Sequence, residues 1–359
     1  MQERIELLKR LSLAFGPSGF EDEVRELIEK EISPFISDIS SDSLGNLIAF
    51  LPADKQKEDA PTLMLSAHMD EVGFMITGFD ENGFLRFDEV GGLNEKIVPG
   101  RHLTIYAHDS KKISGVIGVK PTHLQEKDER DSVTPLSAMY IDIGAKNRAE
   151  AEEAVDIGDY AVFDSDFVIF GENDNKVKCK ALDDRMGCAV LISIIKRLSR
   201  ERVLRNFNIA FCFTTREETG LSGALTAANK LSPEYAVVLE TTAVADIYGT
   251  PPHMTVAKLG NGGAISIADR STVYDRHFVN FCLQFKSEIP MQLKEFVSGG
   301  NDASHIHRAS IGCHVLALSA PTRYLHSPAC VADLRDYSAM EALLYRIISE
   351  FELLRKRED

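Results

Sequence analysis

The feature that most constrains the fold of this chain is a single change of texture in its middle. From Val72 to about Asp164, short β-rich pieces such as FLRFDEVGG and HLTIYAHDSKKISGVIGV alternate with Gly, Asn and Asp turns, and no long amphipathic helix separates them. The brief AEAEEA stretch after Arg148 is its only good helix. Outside that block, apolar runs alternate with helix-periodic segments, the pattern of a sheet covered by helices. Ile5 to Leu13 and Asp22 to Ile32 have helical spacing around the turn Gly16-Pro17-Ser18-Gly19, and Leu47-Ile48-Ala49-Phe50 and Thr62 to Ala67 read as strands. After Cys179 the alternation resumes. It predicts an amphipathic helix from Arg185 to Leu198, strands at Phe207 to Thr214, Tyr235 to Leu239 and Cys313 to Leu318, a small-residue helix in GLSGALTAANKL, and one closing helix from Asp336 to Lys356. The chain therefore reads as an α/β protein whose mostly parallel central sheet is flanked by helices and interrupted once by a small β-barrel-like domain. On this reading residues 1–71 and 165–359 form one discontinuous domain and residues 72–164 the insertion.

At 359 residues the chain exceeds the usual single-domain length, in keeping with that division. A formal net charge of −15 argues against nucleic acid or an anionic membrane as partner, because phosphate binding rests on clustered Lys and Arg. No apolar run approaches the roughly 18 residues of a membrane span, and MQERIELLKRLSLAF at the start lacks the uninterrupted apolar core of a signal peptide. The six cysteines show no Cys-x-x-Cys spacing, and several sit in apolar runs where a reduced thiol acts as a small hydrophobe. These features predict a cytoplasmic protein without a disulfide framework.

Open α/β sheets bind ligands at the carboxyl ends of their strands, so the residues standing there carry the chemistry. The first apolar strand ends in Ala67-His68-Met69-Asp70, the second in Arg216-Glu217-Glu218, the third in Glu240, and the fourth runs through Arg323 to His326. Asp183 and Asp184 add carboxylates at a helix start. Each piece alone has an ordinary explanation: a helix cap for the aspartate pair, a solvated turn for the glutamate pair. Gathered at one edge, imidazoles and carboxylates suit divalent zinc, cobalt or manganese. Two histidines and three carboxylates exceed the needs of one tetrahedral zinc and fit two ions bridged by a carboxylate. Adjacent glutamates then divide the labour, one binding metal while its neighbour serves as the base that a ligand cannot easily be.

The strings AHMDEVGF, KALDDRMG, REETGLSGA and RYLHSP, in this order and at these separations, resemble the TET-type glutamyl and deblocking aminopeptidases, dinuclear metallopeptidases some of which were once labelled endoglucanases. The resemblance extends over nearly the whole chain. It implies Asp183 as the bridging ligand, His68 and Glu240 completing one metal, Glu218 and His326 completing the other, and Glu217 as general base. It also implies Asp70 as the acceptor that orients the His68 ring, and the turn Gly299-Gly300-Asn301-Asp302 as part of the site wall. Three positions depart from the family's pattern: Glu240 stands where Asp is usual, Asn301 where Thr is usual, and Cys330 where an acidic residue is common.

The resemblance implies an exopeptidase that removes amino-terminal residues from peptides with two divalent ions, zinc first and cobalt or manganese as alternatives. It further implies a homo-oligomer in which the insertion makes dimer contacts and dimers build a dodecamer. A carboxypeptidase or deacylase using the same dinuclear site is the alternative, because related enzymes more often carry Glu at the Glu240 position. A glycosidase fits poorly: its two acids flank a sugar bond, whereas Glu217 and Glu218 are neighbours, and the chain contains no Trp for a sugar platform. A scaffold with a degenerate site has only the Glu240 substitution in its favour.

Overall fold

A computed structural model describes residues 2–54, 60–201, 205–295, 297 and 299–356. Among them, eleven strands join in one sheet whose centre consists of four parallel strands in the spatial order Asn208–Thr214, Thr62–His68, Tyr235–Ala243 and His314–Arg323. Their near-continuous apolar sequences follow from burial on both faces: from Ile209 to Phe213 and from Tyr235 to Leu239 no side chain reaches the surface. The parallel register expected from the sequence holds in this centre and in the short side pair Gly263–Ile265 with Met291–Leu293, and the strands on both flanks of the centre are antiparallel. Leu47–Leu51 pairs antiparallel with Asn208–Thr214 on one side, and Cys330–Asp333 with the end of His314–Arg323 on the other.

Six further strands close into a barrel in the spatial order Gly73–Phe79, Leu85–Val90, Tyr140–Asp142, Lys111–Gly118, His102–Ala107 and Tyr160–Phe163. The barrel has its own core. Phe74 meets the rings of Phe87 and Phe163 edge-on, and Ile76, Leu103, Ile105 and Ile141 fill the space between. Besides the expected helix, found at Arg148–Ala154, this part of the chain has a short α-helical turn at Lys127–Arg130 and several 3-10 turns.

The structure corrects three sequence expectations. The helix predicted as amphipathic from Arg185 spans Leu182–Glu201 and is buried almost all round, because it packs on the strands Thr62–His68 and Tyr235–Ala243 while the helices Gln2–Leu13, Asp22–Ile32 and Leu334–Ser349 cover it. The closing helix is two pieces, Leu334–Ser349 and Phe351–Arg355, broken at Glu350. The third central strand does not end at Glu240 but continues through Thr241 and Thr242 to Ala243, so Glu240 is held inside hydrogen-bonded sheet. No helix among the described residues is long and apolar enough to cross a membrane.

Arg185 shows how tightly the segments on either side of the barrel insertion are joined beside the sheet edge. Its guanidinium is fully buried and donates to the carbonyl oxygens of Leu11, Ala14, Gly16 and Met69 and to Glu71, which also accepts from buried Lys180. Gly16 is glycine for this reason, since a Cβ there would lie 2.8 Å from Arg185 Nη2 and 2.6 Å from Val24 Cγ2.

Candidate active site

The four parallel strands all end at one edge, and Thr214 and His68 are direct neighbours there. The chain reverses after His68 and returns through Asp183, whose backbone is not yet helical although it belongs to the first turn of the long buried helix. The turn after Thr214 brings in Glu217 and Glu218, and the loop between His314–Arg323 and Cys330–Asp333 brings in His326.

Asp183 occupies the middle. One of its carboxylate oxygens lies 3.4 Å from His68 Nε2, and the other lies 3.3 Å from His326 Nε2. His68 Nε2 is also 3.8 Å from Glu240 Oε2, and His326 Nε2 is 3.2 Å from Glu218 Oε1. Two sets thus share Asp183: His68, Asp183 and Glu240, and Asp183, Glu218 and His326, with the facing atoms of each within 4.8 Å of one another. His68, Glu217 and Glu218 form a third set that places Glu217 at the edge of the first two. All seven residues singled out in the sequence are therefore near one another, Asp70 by way of the contacts described next.

Asp70 meets both the His68 ring and the glutamate turn. The His68 Nδ1 hydrogen bond runs to the backbone carbonyl of Asp70 at 3.1 Å, with the Asp70 carboxylate 3.5 Å away. That carboxylate also accepts the backbone N–H groups of Glu217 and Glu218, one on each oxygen, both at 3.0 Å.

The whole glutamate turn is held in this way. Thr215 N–H is accepted by Asn46 Oδ1, Arg216 N–H by Glu21 Oε1, and the next two by Asp70. Arg216 sits in the left-handed region at φ 57°, a conformation that a residue with a side chain keeps only when its surroundings hold it there. Gly223 permits the approach of Asn46, for a Cβ at that position would lie 2.2 Å from Thr215 O and 2.5 Å from Asn46 Oδ1. On the other side of the cluster, His326 Nδ1 bonds the carbonyl of Gly92, which lies in the barrel, at 2.7 Å. Sequence reasoning missed Asn46, Glu21 and Gly92, because each reaches the site from a segment more than a hundred residues away.

Charge crowding dominates the site. Burial, followed by repulsion from neighbouring carboxylates, pushes Glu217, Glu240 and Asp184 well above the usual carboxylate range. Glu21 is raised to about 7 by burial and by the charge of Asp70. Burial opposes a charged His68, yet its contacts with Asp183 and Asp70 prevail and lift its pKa well above that of a free imidazole. Asp183 is held below the ordinary range despite its burial, because an imidazole nitrogen of each histidine faces its carboxylate. Asp183 Oδ1 and Glu240 Oε1 are buried and accept no hydrogen bond. Orphaned acceptors on a bridging aspartate and a strand-held glutamate, beside two imidazole nitrogens, are what a divalent cation would satisfy, and the mixed nitrogen and oxygen donor set fits that group.

Asp302, from the Gly299-Gly300-Asn301-Asp302 turn, borders the cluster. It accepts from Thr214 Oγ1 at 2.8 Å, and burial raises its pKa to about 7. Cys330 donates to the carbonyls of Tyr324 and Ser327, bracing the loop that carries His326.

Comparison with known proteins agrees with this geometry. Residues 45–343 match the model of the M42 glutamyl aminopeptidase family. An aminopeptidase-named protein of Acetivibrio thermocellus is 38% identical over 350 residues, covering 97% of this chain and 99% of the relative. The structure of a TET aminopeptidase from a marine-sediment Thaumarchaeota archaeon superposes with a TM-score of 0.93 at 32% identity, covering 99% of both chains. The TET1 peptidase of Pyrococcus horikoshii, described as assembling into a tetrahedron or a large octahedral shell, superposes with a TM-score of 0.84 at 36% identity, covering 95% of this chain and 98% of that one. The chain belongs to the M42 glutamyl aminopeptidase family and is a peptidase acting at amino termini, in a family that implies divalent metal ions.

Proposed function

We propose that this aminopeptidase works through two divalent cations, zinc first and cobalt or manganese as alternatives, with Glu217 as general base. His68, Asp183 and Glu240 would hold one ion, and Asp183, Glu218 and His326 the other. The observation that supports this most directly is the placement of Asp183 with one oxygen facing each histidine. Cations bound there supply Lewis acidity toward a peptide carbonyl and toward water.

The protein's own contribution is proton handling and orientation. Glu217 is adjacent to the ligands without belonging to the two sets that share Asp183, and its raised pKa suits a group that takes a proton from attacking water and returns it to the leaving amine. Asp70 fixes the backbone of Glu217 and Glu218 together, so base and ligand keep one mutual orientation. The carbonyl of Asp70 accepts from His68 Nδ1, which leaves Nε2 to face Asp183 and Glu240.

We further take residues 1–71 and 165–359 as the catalytic domain and residues 72–164 as a dimerisation domain, with dimers assembling into a dodecamer. Exposed apolar side chains on the barrel, among them Val116, Leu124, Val133 and Ile157, support an interface there. Six free cysteines, five of them buried, suit the cytoplasm. Static light scattering tests the assembly: a monomer at micromolar concentration would remove it.

The catalytic reading is tested with a mixture of free, amino-acetylated and carboxy-amidated peptides, incubated with zinc, cobalt, manganese or EDTA and read by mass spectrometry. Metal-dependent ladders shortening from free amino termini are expected. Ladders from the carboxyl terminus, or turnover unaffected by EDTA, would overturn it.

A further inference from the structure

The turn that carries Glu217 is fastened from outside the sheet by a short amino-terminal segment. Glu21 Oε1 accepts both Gly19 N–H at 2.7 Å and Arg216 N–H at 3.1 Å, and Ser18 Oγ lies 2.7 Å from Thr219 Oγ1. The two contacts bracket Glu217 and Glu218, one residue before the pair and one after it. Both Glu21 and Ser18 are buried. The segment is itself rigidly placed: Ser18 N–H bonds Glu71 O, Glu71 N–H bonds Gly16 O, and Phe20 packs its ring against Tyr106 and Tyr160 of the barrel at 5.0 and 5.5 Å. Gly19 stands at φ 91°, and a Cβ there would come within 3.1 Å of the Tyr160 hydroxyl, so the segment follows one path between sheet and barrel.

We propose that Glu21 and Ser18 are positioning residues for the general base: Glu21 holds Arg216 in its left-handed conformation, Ser18 anchors Thr219, and together they aim Glu217. This rests on the assignment of Glu217 as base. Neither residue belongs to a ligand set, and neither touches the Asp183 cluster through its side chain. Asp70 fixes the turn only at Glu217 and Glu218. Without Glu21 and Ser18 the residues on either side of that pair lose these anchors, and Glu217 can shift about the single backbone bond that Asp70 accepts from it. A carbonyl-type acceptor is all that Arg216 N–H requires, so the amide of glutamine would serve in place of the carboxylate.

The test compares Glu21→Ala, Glu21→Gln and Ser18→Ala in the metal-loaded, assembled protein, with kcat, KM, metal content and melting temperature measured for each. Glu21→Ala is expected to lower kcat roughly 10- to 100-fold, the scale of an ångström of misplacement, with KM and metal content near wild type. Glu21→Gln is expected to recover most of that loss, and Ser18→Ala to lower kcat by less than Glu21→Ala. Combining Glu21→Ala with Glu217→Gln separates aim from general damage. If Glu21 acts through Glu217, the double variant is no slower than Glu217→Gln alone. Equal multiplicative losses in both backgrounds, or an unchanged kcat in Glu21→Ala and Ser18→Ala, would overturn the proposal. Wild-type turnover in Glu217→Gln by itself would instead overturn the base assignment, a failure that is read separately.

Discussion

The two halves of the acidic cluster are built in opposite ways. His68 ends one central strand, Glu240 lies inside its neighbour, and the backbone of both is fixed by sheet hydrogen bonding. Glu218 and His326 sit on loops. His326 has a left-handed backbone at φ 56° and keeps 29% of its side-chain surface exposed, against 1% for His68. The sheet half needs its own strands and the adjacent Asp70, whereas the loop half depends on Asp70, on Glu21 and on a barrel carbonyl at Gly92. The barrel is therefore part of the site's construction although it closes on its own core.

Asp183 is the one side chain common to both halves, so its removal should erase the contrast. Asp183→Ala is expected to drop bound metal from about two ions per chain to almost none and to reduce turnover by more than about 10⁴-fold, beyond what loss of one proton-transfer group would cause. Elemental analysis of the dialysed protein checks it. Retention of one ion would mean that the sheet half stands without its bridge.

Glu217→Gln leaves both halves intact and should separate binding from chemistry. Turnover is expected to fall about 10²- to 10⁴-fold with metal content unchanged, as for the loss of a general base. Metal loss in this variant would instead make Glu217 a ligand, an arrangement that the third cluster with His68 and Glu218 makes geometrically accessible.

Which parts of this were legible in the sequence follows the same division. His68 and Glu217-Glu218 could be read because an apolar run ends immediately before them, and a parallel sheet brings such ends together. From the residues alone Asp183 could be read only as a carboxylate at a helix start, and its place as the bridge came from the family resemblance, since its position between two imidazoles depends on a loop that arrives 143 residues later, at His326. The apolar run Tyr235 to Leu239 places the strand's end at Glu240, yet Thr241 and Thr242 both pair with the His314–Arg323 strand, and Thr241 Oγ1 is buried without a hydrogen-bond partner beside the cluster. Asn46, Glu21 and Gly92 carry no local signature at all. Their roles are set by which segments the topology brings against the turn, information that lies in the tertiary arrangement and not in spacing.

Asp70 lies two residues from His68 in sequence but also serves the loop half, and this makes it a sharper probe than either histidine. Asparagine can accept one of the two N–H groups at Glu217 and Glu218 while presenting its own NH₂ to the other. Asp70→Asn is expected to weaken metal binding or turnover about 10- to 100-fold, the usual effect of disturbing the partners of ligands. The loss should fall on the Glu218 and His326 ion, with the His68 and Glu240 ion retained at limiting metal. If the ion held by His68 is lost first, the carboxylate matters more to the imidazole than to the turn.

The smallest expected effect tests the barrel's share. Gly91 has φ 83°, and a Cβ there would come within 2.9 Å of Val72 Cγ1 and 3.1 Å of the Glu218 Cβ. Its neighbour Gly92 supplies the carbonyl that orients His326. Gly91→Ala therefore presses on both members of the loop half at once without altering a ligand, at a backbone cost of about 1 kcal/mol. Affinity for the second ion is expected to fall about tenfold, near the low end for disturbed ligand partners, while the first ion and the melting temperature of the metal-free protein change little. The measurement is a metal titration followed by activity, compared with Gly144→Ala, a barrel-loop glycine at φ 79° with nothing within 4 Å of its Cβ position. Gly144→Ala carries a similar backbone penalty with no contact to the site. Equal effects from the two substitutions would show that strain in the barrel alone accounts for the change, and the loop half would then owe the barrel nothing beyond a shared chain.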